Sequence, residues 1–118
     1  MQIPKSSEHD RDWFRSLIPT EPSVEIKPMF GNLGAFVNGN MFAGLFGQTI
    51  GVKLDTTDRA ELSAIEGTGA FGPAERPMPG YVRLPDSWRT TPRRAAEWID
   101  KSLRYVESLP PKGKKTRR

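Results

Sequence analysis

Side chains able to do chemistry are sparse in this 118-residue chain. It contains no cysteine and one histidine, His9. Disulfides, thiolate zinc sites and a cysteine nucleophile are therefore excluded. His9 stands beside Asp10 and close to Asp12, so a metal there would need further ligands drawn from carboxylates alone. A solvated surface histidine is the simpler reading. Lys53, Asp55, Asp58 and Arg59 cluster where a strand pattern gives way to a helix pattern. A general acid–base pair would need a cleft and shifted pKa values there, whereas helix capping accounts for both acids without either. Gly31, Gly34 and Gly39 form no GxGxxG ahead of a helix, and no GxxxxGK[ST] occurs, so hairpin turns explain these glycines better than a phosphate cradle does. The chain is expected to be non-enzymatic, with no catalytic, metal or cofactor-binding residues.

Two stretches remain as candidates for contact. Residues 67–80 hold four glycines and three prolines, the composition of a loop, and loops of that length are often functional. Phe71, Arg76 and Met78 lie in it. One reading has Phe71 and Met78 anchoring the loop to a sheet while Arg76 stays exposed; the other joins them to Met29 as a contact surface for a protein partner. The second stretch is the C-terminal PPKGKKTRR, which carries Lys112, Lys114, Lys115, Arg117 and Arg118 and no acid. The net charge of +4 falls to 4 − 5 = −1 once these five are removed, so the remaining 109 residues are close to neutral. Such a tail is expected to be solvated and disordered. Its functional reading is weak, salt-sensitive contact with nucleic-acid phosphates, without base stacking because it has no aromatic residue.

The elements that must position these residues centre on Met29–Asp55. Apolar runs at Ala35–Val37, Met41–Phe46 and Ile50–Leu54 are separated by turn pairs. Asn38-Gly39 suits a type I′ hairpin turn, Gly47-Gln48 is a second turn of the same length, and a looser turn is expected over Gly31–Gly34. Val24–Phe30 alternates, placing Val24, Ile26 and Phe30 on one face and Met29 on the other. Pro28 lacks an N–H and assigns that strand to a sheet edge or a bulge. Tyr81–Leu84 supplies a fifth strand. Ser6 or Ser7 caps a first helix carrying Trp13, Phe14, Leu17 and Ile18 and stopped by Pro19. Asp58 with Glu61 resembles a capping box for a short helix with Leu62 and Ile65. Thr91-Pro92 opens the last helix, whose stripe is Ala95, Trp98, Ile99, Ser102, Leu103, Val106 and Leu109. Glu97–Lys101 and Asp100–Arg104 are i,i+4 pairs on its wet face. The expected architecture is a two-layer α+β fold. About five antiparallel strands carry the N- and C-terminal helices on one face, and a short helix sits between strands four and five. The free face is available for a partner or a second copy, giving a possible homodimer. Residues 1–109 form one domain and 110–118 the tail. The first twenty residues include Lys5, Glu8, Asp10 and Asp12 and offer no signal-peptide core.

The order MFG (29–31), FVNGNMFA (36–43), VKLD (52–55), DRAEL (58–62), RPM (76–78) and YVRLP (81–85) resembles the N-terminal domain family of the competence regulator TfoX, also called Sxy, over residues 24–106. The resemblance implies a two-layer α+β domain of a bacterial cytoplasmic protein, a single-domain relative with a regulatory or protein-interaction role. It brings no catalytic or cofactor residues with it. Asn32 stands where that family often repeats glycine. Gly51 stands where an aromatic residue is usual, which predicts a less well packed fourth strand.

Overall fold

The computed structural model describes residues 4–111. Helix α1 spans Glu8–Leu17. Ser7 caps it through a reciprocal box: its hydroxyl accepts from the Asp10 N–H, and the Asp10 carboxylate accepts from the Ser7 N–H at 3.0 Å. Ile18, the residue before Pro19, is already extended and ends the helix.

Four strands follow as a meander: β1 (Val24–Met29), β2 (Asn32–Val37), β3 (Asn40–Phe46) and β4 (Thr49–Lys53). Asn38 and Gly39 have φ of 54° and 82°, the left-handed pair that a type I′ turn requires, so the predicted hairpin corner is present. The first hairpin differs from expectation. Its turn is Phe30-Gly31, with φ of 48° and 83°, and Asn32, Leu33 and Gly34 already belong to β2. Asn32 fixes that start. Its amide donates to the Pro4 carbonyl at 2.7 Å and accepts from the Gly47 N–H at 2.9 Å. Phe30, expected on the core face beside Val24 and Ile26, is thereby lifted into the turn and is 77% exposed.

Helix α2 (Thr56–Ser63) is capped by Asp55, which accepts from the Asp58 N–H at 2.8 Å. The Asp58–Glu61 box is not used, because the helix starts three residues earlier than that pattern assumed. Strands β5 (Gly69–Ala70) and β6 (Tyr81–Arg83) bring the sheet to six strands rather than five, in the order β1-β2-β3-β4-β6-β5, all antiparallel. The two residues of β5 are too few to leave a periodic trace in the sequence. Pro28 lies in edge strand β1, as its missing N–H demanded. A 3₁₀ turn at Asp86–Thr90, not foreseen, buries Trp88. Helix α3 (Pro92–Glu107) closes the fold.

Helix α3 crosses β2, β3 and β4, and α1 packs beside it. Ala95, Trp98, Ile99, Leu103 and Val106 meet Ala35, Val37, Leu45, Ile50 and Val52 in one core, joined by Phe14 and Leu17 of α1. The register slips between Ala35 and Phe36, which pair with Ala43 and Met41. The extra residue is Phe42. This bulge lets the adjacent residues Phe42 and Ala43 both be fully buried. Ser102, the polar gap in the α3 stripe, donates its hydroxyl to the Phe42 carbonyl across 60 residues of sequence. On the wet side of α3, Arg104 pairs with Asp100 at 3.3 Å, with Glu107 and with Glu21. The expected Glu97–Lys101 pair is replaced by Lys101 resting over the Trp98 ring, 5.3 Å from its centroid.

Candidate interaction cleft on the outer sheet face

Three glycines stand in register across the middle of the sheet, Gly34 opposite Gly44 and Gly44 opposite Gly51. Apolar side chains lie flat over them in the space that Cβ atoms would take. A Cβ at Gly34 would be 2.8 Å from the Met29 sulfur and 2.9 Å from Phe36 Cε1. One at Gly44 would be 3.2 Å from Met41 Cε and 3.3 Å from Phe71 Cζ, and one at Gly51 only 2.2 Å from Phe71 Cγ. The aromatic that the fourth strand lacks at Gly51 is thus supplied by the loop. Phe71 is buried, packs edge-on to Phe46 with centroids 6.1 Å apart, and leans on Tyr81 at 6.0 Å. The expected looseness of β4 is corrected: Gly51 and Val52 are both buried.

Beyond Phe71 the loop turns back on itself. The Met78 N–H donates to the Phe71 carbonyl at 2.8 Å, and Gly72 takes φ 102° with the Met78 side chain against it. Met29, Phe30, Met41, Phe46, Phe71 and Met78 then surround a cleft of about 240 Å³. Met29, Phe71 and Met78, singled out from the sequence, are brought together here. Arg76 is not: it is exposed on the outer turn of the loop, where its N–H donates to the Pro73 carbonyl at 2.9 Å. Phe30, Met41 and Phe46 were missed. Met41 and Phe46 have the outward phase of β3, but the bulge at Phe42 hides that phase from simple alternation. The basic tail residues Lys112, Lys114, Lys115, Arg117 and Arg118 lie outside the described residues.

Two lysines of the sheet strands lie against aromatic rings. Lys27 lies 5.0 Å from the Phe36 ring centroid and 3.8 Å from Glu25, and Lys53 lies 5.8 Å from the centroid of Tyr81. The Tyr81 hydroxyl donates to the Met41 carbonyl at 2.7 Å, and burial pushes its pKa up to about 12. At the junction after β4, Asp55 caps α2 and Arg59 donates to the Leu54 carbonyl at 3.2 Å. His9 is exposed on α1. Among the described residues, no group of three or more His, Asp or Glu side chains is placed to hold a metal ion. No helix among them is long and apolar enough to cross a membrane.

A second hollow, of about 230 Å³, opens between Trp13, Trp88 and Arg89. Its basic group is already engaged. Arg89 stacks 4.0 Å from the Trp13 ring centroid and pairs with Asp10 at 2.7 Å. Burial opposes ionisation of Asp10, but the hydrogen bonds from Ser7 and Arg89 outweigh it and hold the carboxyl down at about 2. This clamp ties α1 to the 3₁₀ turn.

A six-stranded antiparallel sheet with helices on one face and an apolar cleft on the other defines the class: a two-layer α+β domain with an open outer sheet face. Within that class the chain belongs to the TfoX N-terminal domain family, whose model matches residues 3–106. None of the curated proteins compared with the chain matches it.

Proposed function

We propose that this domain is a non-enzymatic protein-interaction module that receives an apolar segment of a partner protein in the outer-face cleft. The observation that carries the reading is Phe30, the one exposed large hydrophobic residue among those described, held at the rim of a cleft floored by methionine and phenylalanine. Thioether side chains adapt to irregular apolar surfaces and recur at binding grooves. At about 240 Å³ the cleft is smaller than the roughly 300–1,000 Å³ of small-molecule pockets, and suits one or two inserted side chains. The nearby phenol, with its pKa pushed up to about 12, is a hydrogen-bond donor and no base at neutral pH.

Panning a phage-displayed library of short random peptides on the immobilised protein tests this. The expected yield is sequences anchored by Leu, Phe or Met, lost on Phe30→Ser and Met78→Ser variants whose melting is unchanged. Failure to enrich any apolar anchor would remove the reading. Concentration-dependent dimerisation abolished by Phe30→Ser would assign the cleft to a second copy instead.

A further inference from the structure

Next to the cleft, and sharing Phe46 with it, lies a broader hollow of about 440 Å³ lined by Lys5, Gly47, Thr49, Gly72 and Arg83. Arg83 Nε is buried with no hydrogen-bond partner among the described residues. A buried guanidinium N–H without an acceptor is costly, since its desolvation is uncompensated. Room for the guanidinium comes from the neighbouring strand: a Cβ on Gly69 would lie 3.0 Å from one of its terminal nitrogens. The Lys5 stem is laid over Gly31, 2.9 Å from where a Cβ would be. Neither Lys5 nor Arg83 makes an ion pair among the described residues.

Charge is distributed to the same effect. The chain short of its tail has a net charge of −1, by the subtraction above. Yet the outward positions of the sheet carry Lys27, Lys53 and Arg83 against Glu25 alone, and Glu25 is already beside Lys27. Cations therefore outnumber acids at the outward positions of the sheet, on a body that is otherwise slightly acidic.

We infer that the partner segment carries a carboxylate beside its apolar anchor, the anchor in the Met/Phe cleft and the carboxylate in the Lys5–Arg83 hollow. This rests on the cleft being the docking surface. A carboxylate in the hollow accepts from the terminal N–H groups of Arg83, while Lys5 adds a second positive charge. The segment is thus an acidic–apolar peptide, and a basic one is excluded by like charge.

The test compares peptides recovered by panning with versions in which each Asp or Glu becomes Asn or Gln. The acidic form is expected to bind roughly tenfold tighter, equivalent to about 1.4 kcal/mol, and the difference should vanish on Arg83→Gln. Lys5→Gln, at an exposed position, provides a second variant that keeps the fold; it should weaken the acidic peptide severalfold and flatten its salt dependence. Apolar anchors enriched without acids, or equal binding of the two peptide forms, would overturn this inference and leave the cleft reading intact. Failure to enrich apolar anchors at all would overturn both.

Discussion

The ring of Phe71 occupies the volume that a side chain on Gly51 would need, with a Cβ there falling 2.2 Å from the ring's Cγ. The central strands of the sheet are thin at this point so that a residue from a distant loop can complete their outer face. Gly51→Ala is expected to destabilise the fold by roughly 1–3 kcal/mol through overpacking, and Phe71→Ala by roughly 3–5 kcal/mol through loss of a buried ring. In the double variant the two costs should be non-additive, as for residues in direct contact. Urea denaturation of the four proteins measures this; simple additivity would contradict the packing described.

Ser102 is a buried hydroxyl in an otherwise apolar stripe, and its acceptor is the carbonyl at the β3 bulge. Ser102→Ala leaves that carbonyl without its partner and should cost about 1–3 kcal/mol. Ser108→Ala, at an exposed helix end, should change stability by less than about 0.5 kcal/mol. Thermal melts of the two variants separate a structural hydroxyl from a decorative one.

Asp10 has a folded-state pKa of about 2 against an ordinary 3.8. A depressed carboxyl stabilises the fold above its unfolded pKa, and that stability is lost as pH falls through the folded value. The loss should therefore run from pH 3.8 down to about 2, and amount to on the order of 1 kcal/mol after solvent screening. Asp10→Asn should flatten the stability profile in that window, and Arg89→Gln should do so in part. An unchanged acid limb in chemical denaturation would contradict the clamp.

Tyr81 is held protonated by burial, up to about pH 12. Ultraviolet absorbance titration should show a tyrosine ionising near that value, and Tyr81→Phe should remove it. Because a raised pKa favours the neutral folded form, Tyr81 contributes stability that is fully present below its ordinary value of 10.0 and is lost as pH rises from there through about 12. The variant should also lose the hydrogen bond to the Met41 carbonyl and so loosen one wall of the cleft.

The hairpin corner at Asn38-Gly39, the α3 stripe and the edge position of Pro28 were all legible, because each follows from a local backbone preference or a helical period. The turn at Phe30-Gly31 was not, since a phenylalanine at positive φ is held there by long-range bonds of Asn32 to Pro4 and Gly47. Two-residue β5 and the 3₁₀ turn carry too little pattern to be read. Of the cleft, the loop residues Phe71 and Met78 and the strand residue Met29 stood out by composition. Met41 and Phe46 were hidden by the bulge, and Arg83 by the absence of any sequence signal for a single guanidinium N–H buried without a partner among the described residues.

Both borders of the sheet are poor places for another chain to join. One border strand contains Pro28, which lacks a donor, and the other is two residues long. Lengthening of the ladder by an incoming strand, the usual route to runaway fibrous assembly, is therefore discouraged at either side. Visitors must approach broadside, where only side chains can read them, and the protein can display a greasy surface without becoming a template for its own aggregation.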